Sequence, residues 1–156
     1  MIDKKIVVQA IIEKAEKDSE EIQIMTSIVE GYERPDRIVV KGDQKRGYTP
    51  DVILRKNETT ELYEVELGKA KEYELDKWRL FSLYSHKQKG NFNIVIPEDN
   101  LPRLRELLKE NQIKAKILYF SWAGHSPLRL LSGYDSGPDW TSWSLKRRSA
   151  VVIPVV

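Results

Sequence analysis

Between Leu67 and Phe120 the hydropathy pattern changes type in a fixed order: strand, helix, strand, helix, strand. Strands that alternate with helices are joined by crossovers, which place them parallel in a sheet covered by helices. That order constrains the chain to an α/β fold, a mixed central sheet flanked by helices. Its 156 residues are enough for one domain with its own core.

The flanking segments complete the pattern. Asp3 is placed to cap a first helix, in which Ile2, Ile6, Ala10 and Ile11 recur at helical spacing to about Lys17. Ile22, Ile24, Thr26 and Ile28 alternate and predict a strand over 21–29, and Asp36 to Lys41 predicts another. Gly42 to Gly47 is polar and basic, a predicted loop. Asp51–Lys56 and Glu61–Leu67 are two apolar runs around a short polar turn, Asn57 to Thr60, which predicts a β-hairpin. Gly68 breaks the second run. A helix follows from about Ala70 to Lys87, with Tyr73, Lys77, Leu80, Phe81 and Tyr84 near one stripe. Phe92 to Ile96 is a compact strand, Asn100 is placed to cap a helix through Leu108, and Ala115 to Phe120 is a last core strand. Residues 1–120 form the expected core. Residues 121–156, with Trp122, Trp140 and Trp143 among glycines and prolines, form an expected appendage packed on it. Its terminal run, Ala150 to Val156, is an expected edge strand and the surface through which a homodimer would form.

Charge and cysteine content exclude some classes. The net charge is only +2, so no global basic field marks the chain as a nucleic-acid binder. Residues 1–120 hold 22 basic and 22 acidic side chains, so the excess lies in the tail, where Lys146, Arg147 and Arg148 cluster. With no cysteine, disulfides and thiolate metal sites are excluded. Ile6-Val7-Val8 is too short for a secretory core and no stretch approaches a membrane span, so a cytoplasmic, intracellular protein without a membrane partner is expected.

The hairpin carries the chemistry. Asp51 heads its first strand, and Glu64 and Glu66 point to one face of the second while Tyr63, Val65 and Leu67 take the other. Two carboxylates on an otherwise buried strand are costly unless something neutralises them. A divalent metal held with the help of Asp51 would do so, and so would pairing with Arg55 or other strand cations. Asp and Glu oxygens suit Mg²⁺ or Mn²⁺.

Pro50-Asp51, twelve intervening residues and Glu64-Val65-Glu66, set in this order of elements, resemble the PD-(D/E)xK nuclease superfamily, the restriction-endonuclease-like fold. The resemblance covers residues 1–120. It implies metal-dependent hydrolysis of DNA phosphodiesters, with Asp51 and Glu64 as ligands of Mg²⁺ or Mn²⁺ and the Val65 carbonyl as a third. An acidic residue of the first helix, Glu13 or Glu16, is implied as an addition. The superfamily usually has lysine where this chain has Glu66, although a minority of restriction enzymes carry Glu-x-Glu. Lys69, Lys71 and Lys77 are the neighbouring lysines from which the missing cation would come. Glu66 would accept a proton from metal-bound water or bind a second ion. DNA is the expected partner, with RNA as an open alternative. The missing lysine favours a different member of the same fold, a catalytically inactive module that binds nucleic acid or serves in assembly.

Other features carry less. His86 and His125 read as surface or loop histidines. No phosphate-binding P-loop and no Gly-x-Gly-x-x-Gly fingerprint occurs. Pro35-Asp36 has no Glu-x-Glu at hairpin distance of its own and reads as a turn. Tyr32, Tyr48 and Trp78 are aromatic enough to stack on bases, but such positions more often pack in the core or at its rim.

Overall fold

The computed structural model describes residues 3–19, 21–69, 73–121 and 129–135, and of residues 121 and 129–135 the backbone alone. Helix α1 (Lys4–Asp18) begins at Asp3, whose carboxylate accepts the Ile6 N–H at 3.0 Å, as expected of the cap. Strands β1 (Gln23–Met25), β4 (Val52–Lys56) and β5 (Thr59–Val65) run antiparallel to their neighbours in that order. After helix α2 (Leu75–Lys87), β6 (Phe92–Pro97) lies parallel to β5. After helix α3 (Leu101–Glu110), β7 (Lys116–Ser121) lies parallel to β6. Strand β8 (Arg129–Asp135) then returns antiparallel to β7. The result is a six-stranded mixed sheet, β1-β4-β5-β6-β7-β8, the α/β architecture that the alternating order implied.

The sheet separates two apolar layers, and strand alternation decides which residues enter each. On one face, Ile53, Leu62, Ile94, Ile96 and Ile117 pack under Trp78 and Phe81 of α2 and Leu104 and Leu108 of α3. On the other, Val52, Leu54, Tyr63, Val65, Val95 and Leu118 pack under Val7, Val8, Ile11 and Ile12 of α1. β5 and β6 are buried on both faces, as strands with parallel neighbours are.

Several local expectations are corrected. The strand foreseen over 21–29 stops at Met25, because the Thr26 hydroxyl donates to the Asp51 carbonyl at 2.7 Å and accepts the Ile28 N–H at 3.1 Å, turning the chain away. The foreseen loop 42–47 is mostly strand: β2 (Ile38–Val40) and β3 (Asp43–Tyr48) form a separate two-stranded sheet around Gly42, whose φ of +85° suits the reversal. Polar composition misled there, because the ribbon is anchored by buried Ile38 and by Arg37, which donates to the Gln44 and Lys45 carbonyls, while most side chains of 42–47 remain in solvent. The hairpin turn is only Asn57–Glu58, with Asn57 at φ +55°, and Thr59 and Thr60 already belong to β5. Helix α2 starts at Leu75 after extended Glu74, and residues 70–72 are outside the described set. Asn100 does not cap α3 with its side chain: it is the last residue of a 3-10 turn, Glu98–Asn100, and its amide donates to the Gly68 carbonyl at 3.3 Å. β8 adds residues 129–135 to the sheet within the foreseen appendage. Trp122, His125, Trp140, Trp143, the Lys146–Arg148 cluster and the terminal run lie outside the described residues.

Candidate functional site

Hairpin register alone brings Asp51 to Glu64. The pairs Lys56↔Thr59 and Val52↔Tyr63 keep a constant sum of residue numbers, so one further step sets Asp51 opposite Glu64. Both sides close that step with hydrogen bonds. The Asp51 N–H donates to Glu64 Oε1 at 2.9 Å, and the Val65 N–H donates to Asp51 Oδ2 at 2.9 Å. The head of β4 and the end of β5 are thus fastened by the two carboxylates themselves. Val65 takes part through its amide. Glu66 lies just past β5, where its N–H donates to the Val95 carbonyl at 2.9 Å.

The cation at this site comes from α2. Lys77 Nζ is 3.0 Å from Glu64 Oε2, 3.4 Å from Glu66 Oε1 and 3.7 Å from Glu74 Oε1. Of the lysines weighed from sequence, Lys77 is the one placed against both carboxylates. Lys69 is exposed beyond the end of β5, and Lys71 lies outside the described residues. The anchors of Lys77 are its neighbours: Trp78 is fully buried, with its ring 4.9 Å from that of Tyr73, and Phe81 is buried one turn on. Arg55, the other conceivable partner, is engaged elsewhere, with Asp36 at 3.1 Å and the Tyr84 hydroxyl at 3.3 Å.

A second lysine, unforeseen, reaches the site from the opposite layer. Lys4, in the first turn of α1, has its Nζ 3.2 Å from Asp51 Oδ2 and 3.3 Å from Oδ1. No sequence signal connects residues 47 positions apart in the chain. Glu13, proposed as an acidic contribution from this helix, is exposed and nine residues beyond Lys4, about 13 Å along the axis. Glu16 lies farther along and accepts from the Tyr32 hydroxyl at 3.5 Å. The helix therefore brings a cation to Asp51 where an acid was expected.

Electrostatics follow from burial. The Glu64 side chain is 3% exposed and that of Lys77 15%. Burial, reinforced by the nearby Asp51 charge, pushes the Glu64 carboxyl up to about 7 against the pull of Lys77. Lys77 is held above the ordinary lysine value: its burial acts the other way, and the charges of Glu64 and Glu66 overcome it. The site is a compact alternation of charge, Lys4–Asp51 and Lys77–Glu64–Glu66, sitting where the three layers meet. Among the described residues, no three His, Cys, Asp or Glu side chains are grouped so as to hold a metal ion. Asp51 and Glu64 do form a pair of hard oxygen donors. That suits Mg²⁺ in its usual mode, bound by one or two carboxylates with water and phosphate completing the shell.

A second buried carboxylate escaped the sequence reading. Glu61 accepts from the Asn91 backbone N–H, the Asn91 side-chain amide at 3.1 Å and the Asn93 amide at 3.4 Å. Burial still raises its carboxyl above the ordinary value. Glu61 faces the α1 layer beside Tyr63, remote along β5 from Asp51, and its amide partners mark it as a structural bracket between β5 and the start of β6. His86, in the last turn of α2, is exposed on the rim of an open groove with Asn91 and Lys114, consistent with a surface histidine. Comparison of the chain with models of known protein families, with curated proteins and with solved structures finds no match.

Proposed function

We propose that the chain is a metal-dependent nuclease acting on DNA phosphodiesters through a PD-(D/E)xK-like site. The observation that carries the reading is the convergence of Asp51, Glu64 and Lys77 at the hairpin end: two carboxylates in cross-strand register and a lysine from the next helix. Lys77 then supplies the charge that the superfamily's motif lysine supplies from the position of Glu66. Asp51 and Glu64 would hold a Mg²⁺ or Mn²⁺ ion. That ion's chemistry is to polarise the phosphate and make a nucleophile of bound water. The chain's own groups do the rest. Lys77 Nζ offers hydrogen bonds to a phosphate oxygen and keeps Glu64 oriented, and Glu66, half-buried beside it, accepts a proton at a carboxylate oxygen. The fixed dipoles of the Asp51 and Val65 amides hold both carboxylates in place before substrate arrives.

A second reading has its own observation. Both carboxylates are already paired with lysines, Asp51 with Lys4 and Glu64 with Lys77, as in a catalytically inactive module that uses the cluster to tie α1 and α2 to the sheet. One experiment separates the two: cleavage of supercoiled plasmid and labelled single strands with Mg²⁺ or Mn²⁺, alongside the unfolding midpoint in a metal titration, for the wild type and Asp51→Ala. The nuclease reading expects cleavage and metal-dependent stabilisation, both lost in the variant. A folded wild type that neither cleaves nor gains stability from metal sinks it in favour of the inactive module.

A further inference from the structure

The β2–β3 ribbon is the part of the described structure that the site does not explain. It stands outside the main sheet. Residues 37–48 hold Arg37, Lys41, Lys45 and Arg46 against Asp43, four minus one, or +3, in a chain whose total is +2. Local acids do not cancel this charge. Asp36, just before the ribbon, is paired with Arg55, and Asp43 accepts the Lys45 backbone N–H at 3.1 Å. Lys41, Lys45 and Arg46 are exposed, and among the described residues their side chains form no ion pair. Arg37 is used inside the ribbon, donating to the Gln44 carbonyl at 2.8 Å and the Lys45 carbonyl at 3.2 Å.

The geometry presents those charges. Val39 pairs with Gly47 but Val40 with Asp43, so Gln44, Lys45 and Arg46 form a bulge on the longer strand. The base is rigid. Ile38 is buried in the core, and Tyr48 packs edge-on to Phe81 with ring centroids 6.4 Å apart. Only Thr49 and Pro50 separate Tyr48 from Asp51, so the ribbon leads straight into the site. A two-stranded ribbon is of a size that the B-form major groove admits, whereas the deep, narrow major groove of an A-form duplex does not admit it.

We propose that the β2–β3 ribbon is a grip for duplex DNA, with Lys41, Lys45 and Arg46 on backbone phosphates beside the scissile position. It rests on the reading that the site acts on DNA. The test is fluorescence anisotropy of a labelled B-form duplex in metal-free buffer over a salt series. It compares wild type with the triple variant Lys41→Gln, Lys45→Gln, Arg46→Gln, and the wild type is also measured on an A-form RNA duplex. Three lost phosphate contacts lower the slope of log affinity against log salt by about 2.7 and weaken binding throughout. An unchanged slope in the triple variant overturns the grip even if the wild type cleaves, and so does a wild type that binds no duplex at low salt. Equal binding of the RNA duplex overturns the groove assignment. A lowered slope in a protein that never cleaves keeps the grip and removes the nuclease.

Discussion

Lys77 is the residue on which the site turns, because it is the cation shared by Glu64 and Glu66. Removing one partner of a buried ion pair leaves uncompensated charge, at a cost of roughly 3–5 kcal/mol in fully buried cases. Lys77→Met should therefore destabilise the fold markedly at about pH 8 and much less at about pH 5, where Glu64 takes up a proton and needs no cation. Denaturant titrations at the two pH values check this, and equal losses at both would show that Lys77 acts through packing alone. At this scale the sequence revealed the carboxylates but left their cation undecided among three lysines. A side chain's partner depends on where its backbone is carried. Lys4 illustrates the same limit from farther away, since nothing near it in the chain mentions Asp51.

At the scale of elements, the hairpin was legible because its signals are local, two apolar runs and a polar turn; its register was not, because the turn is two residues, 57–58, and not the four foreseen. Of the β2–β3 ribbon, β2 was legible as the strand foreseen over 36–41, but β3 was not, because its place depends on pairing with β2 and on two anchors, Ile38 and Tyr48, in a core assembled by other elements. The junction between α2 and β6 depends on a close approach of the same kind. Gly90 donates its N–H to the Ser85 carbonyl at 2.8 Å, and a Cβ there would run into the Thr60 carbonyl and the Glu61 carboxylate. Gly90→Ala should therefore cost about 1–3 kcal/mol, as overpacking does, and disturb the Glu61 bracket with it. Urea unfolding of the variant gives the answer, and wild-type stability would show that the strands separate freely at that point.

For the whole molecule, the buried Glu64 sets a stability profile in pH. Its folded-state value of about 7 lies above the ordinary carboxyl value of 4.5, so the folded chain binds this proton more tightly than the unfolded one. Stability from this group is then fully present below about pH 4.5 and is lost as pH rises to about 7, a fall of roughly 3 kcal/mol. Glu64→Gln should flatten that part of the curve, and urea midpoints between about pH 4.5 and pH 7.5 measure it. An unchanged slope in the variant would assign the pH dependence to another group. The sequence by itself determined the α/β class, the helices and most strands, and that Asp51 and the Glu64–Glu66 segment meet at one end of one hairpin, since each follows from periodicity; the two-residue turn of the structure decided that Asp51 faces Glu64. Tertiary structure alone decided that Lys77 rather than Lys69 meets the carboxylates, that α1 delivers Lys4 in place of Glu13, and that a basic stretch stands out as a ribbon. Those outcomes depend on how separate layers pack across the sheet, and no pattern within a single segment encodes that.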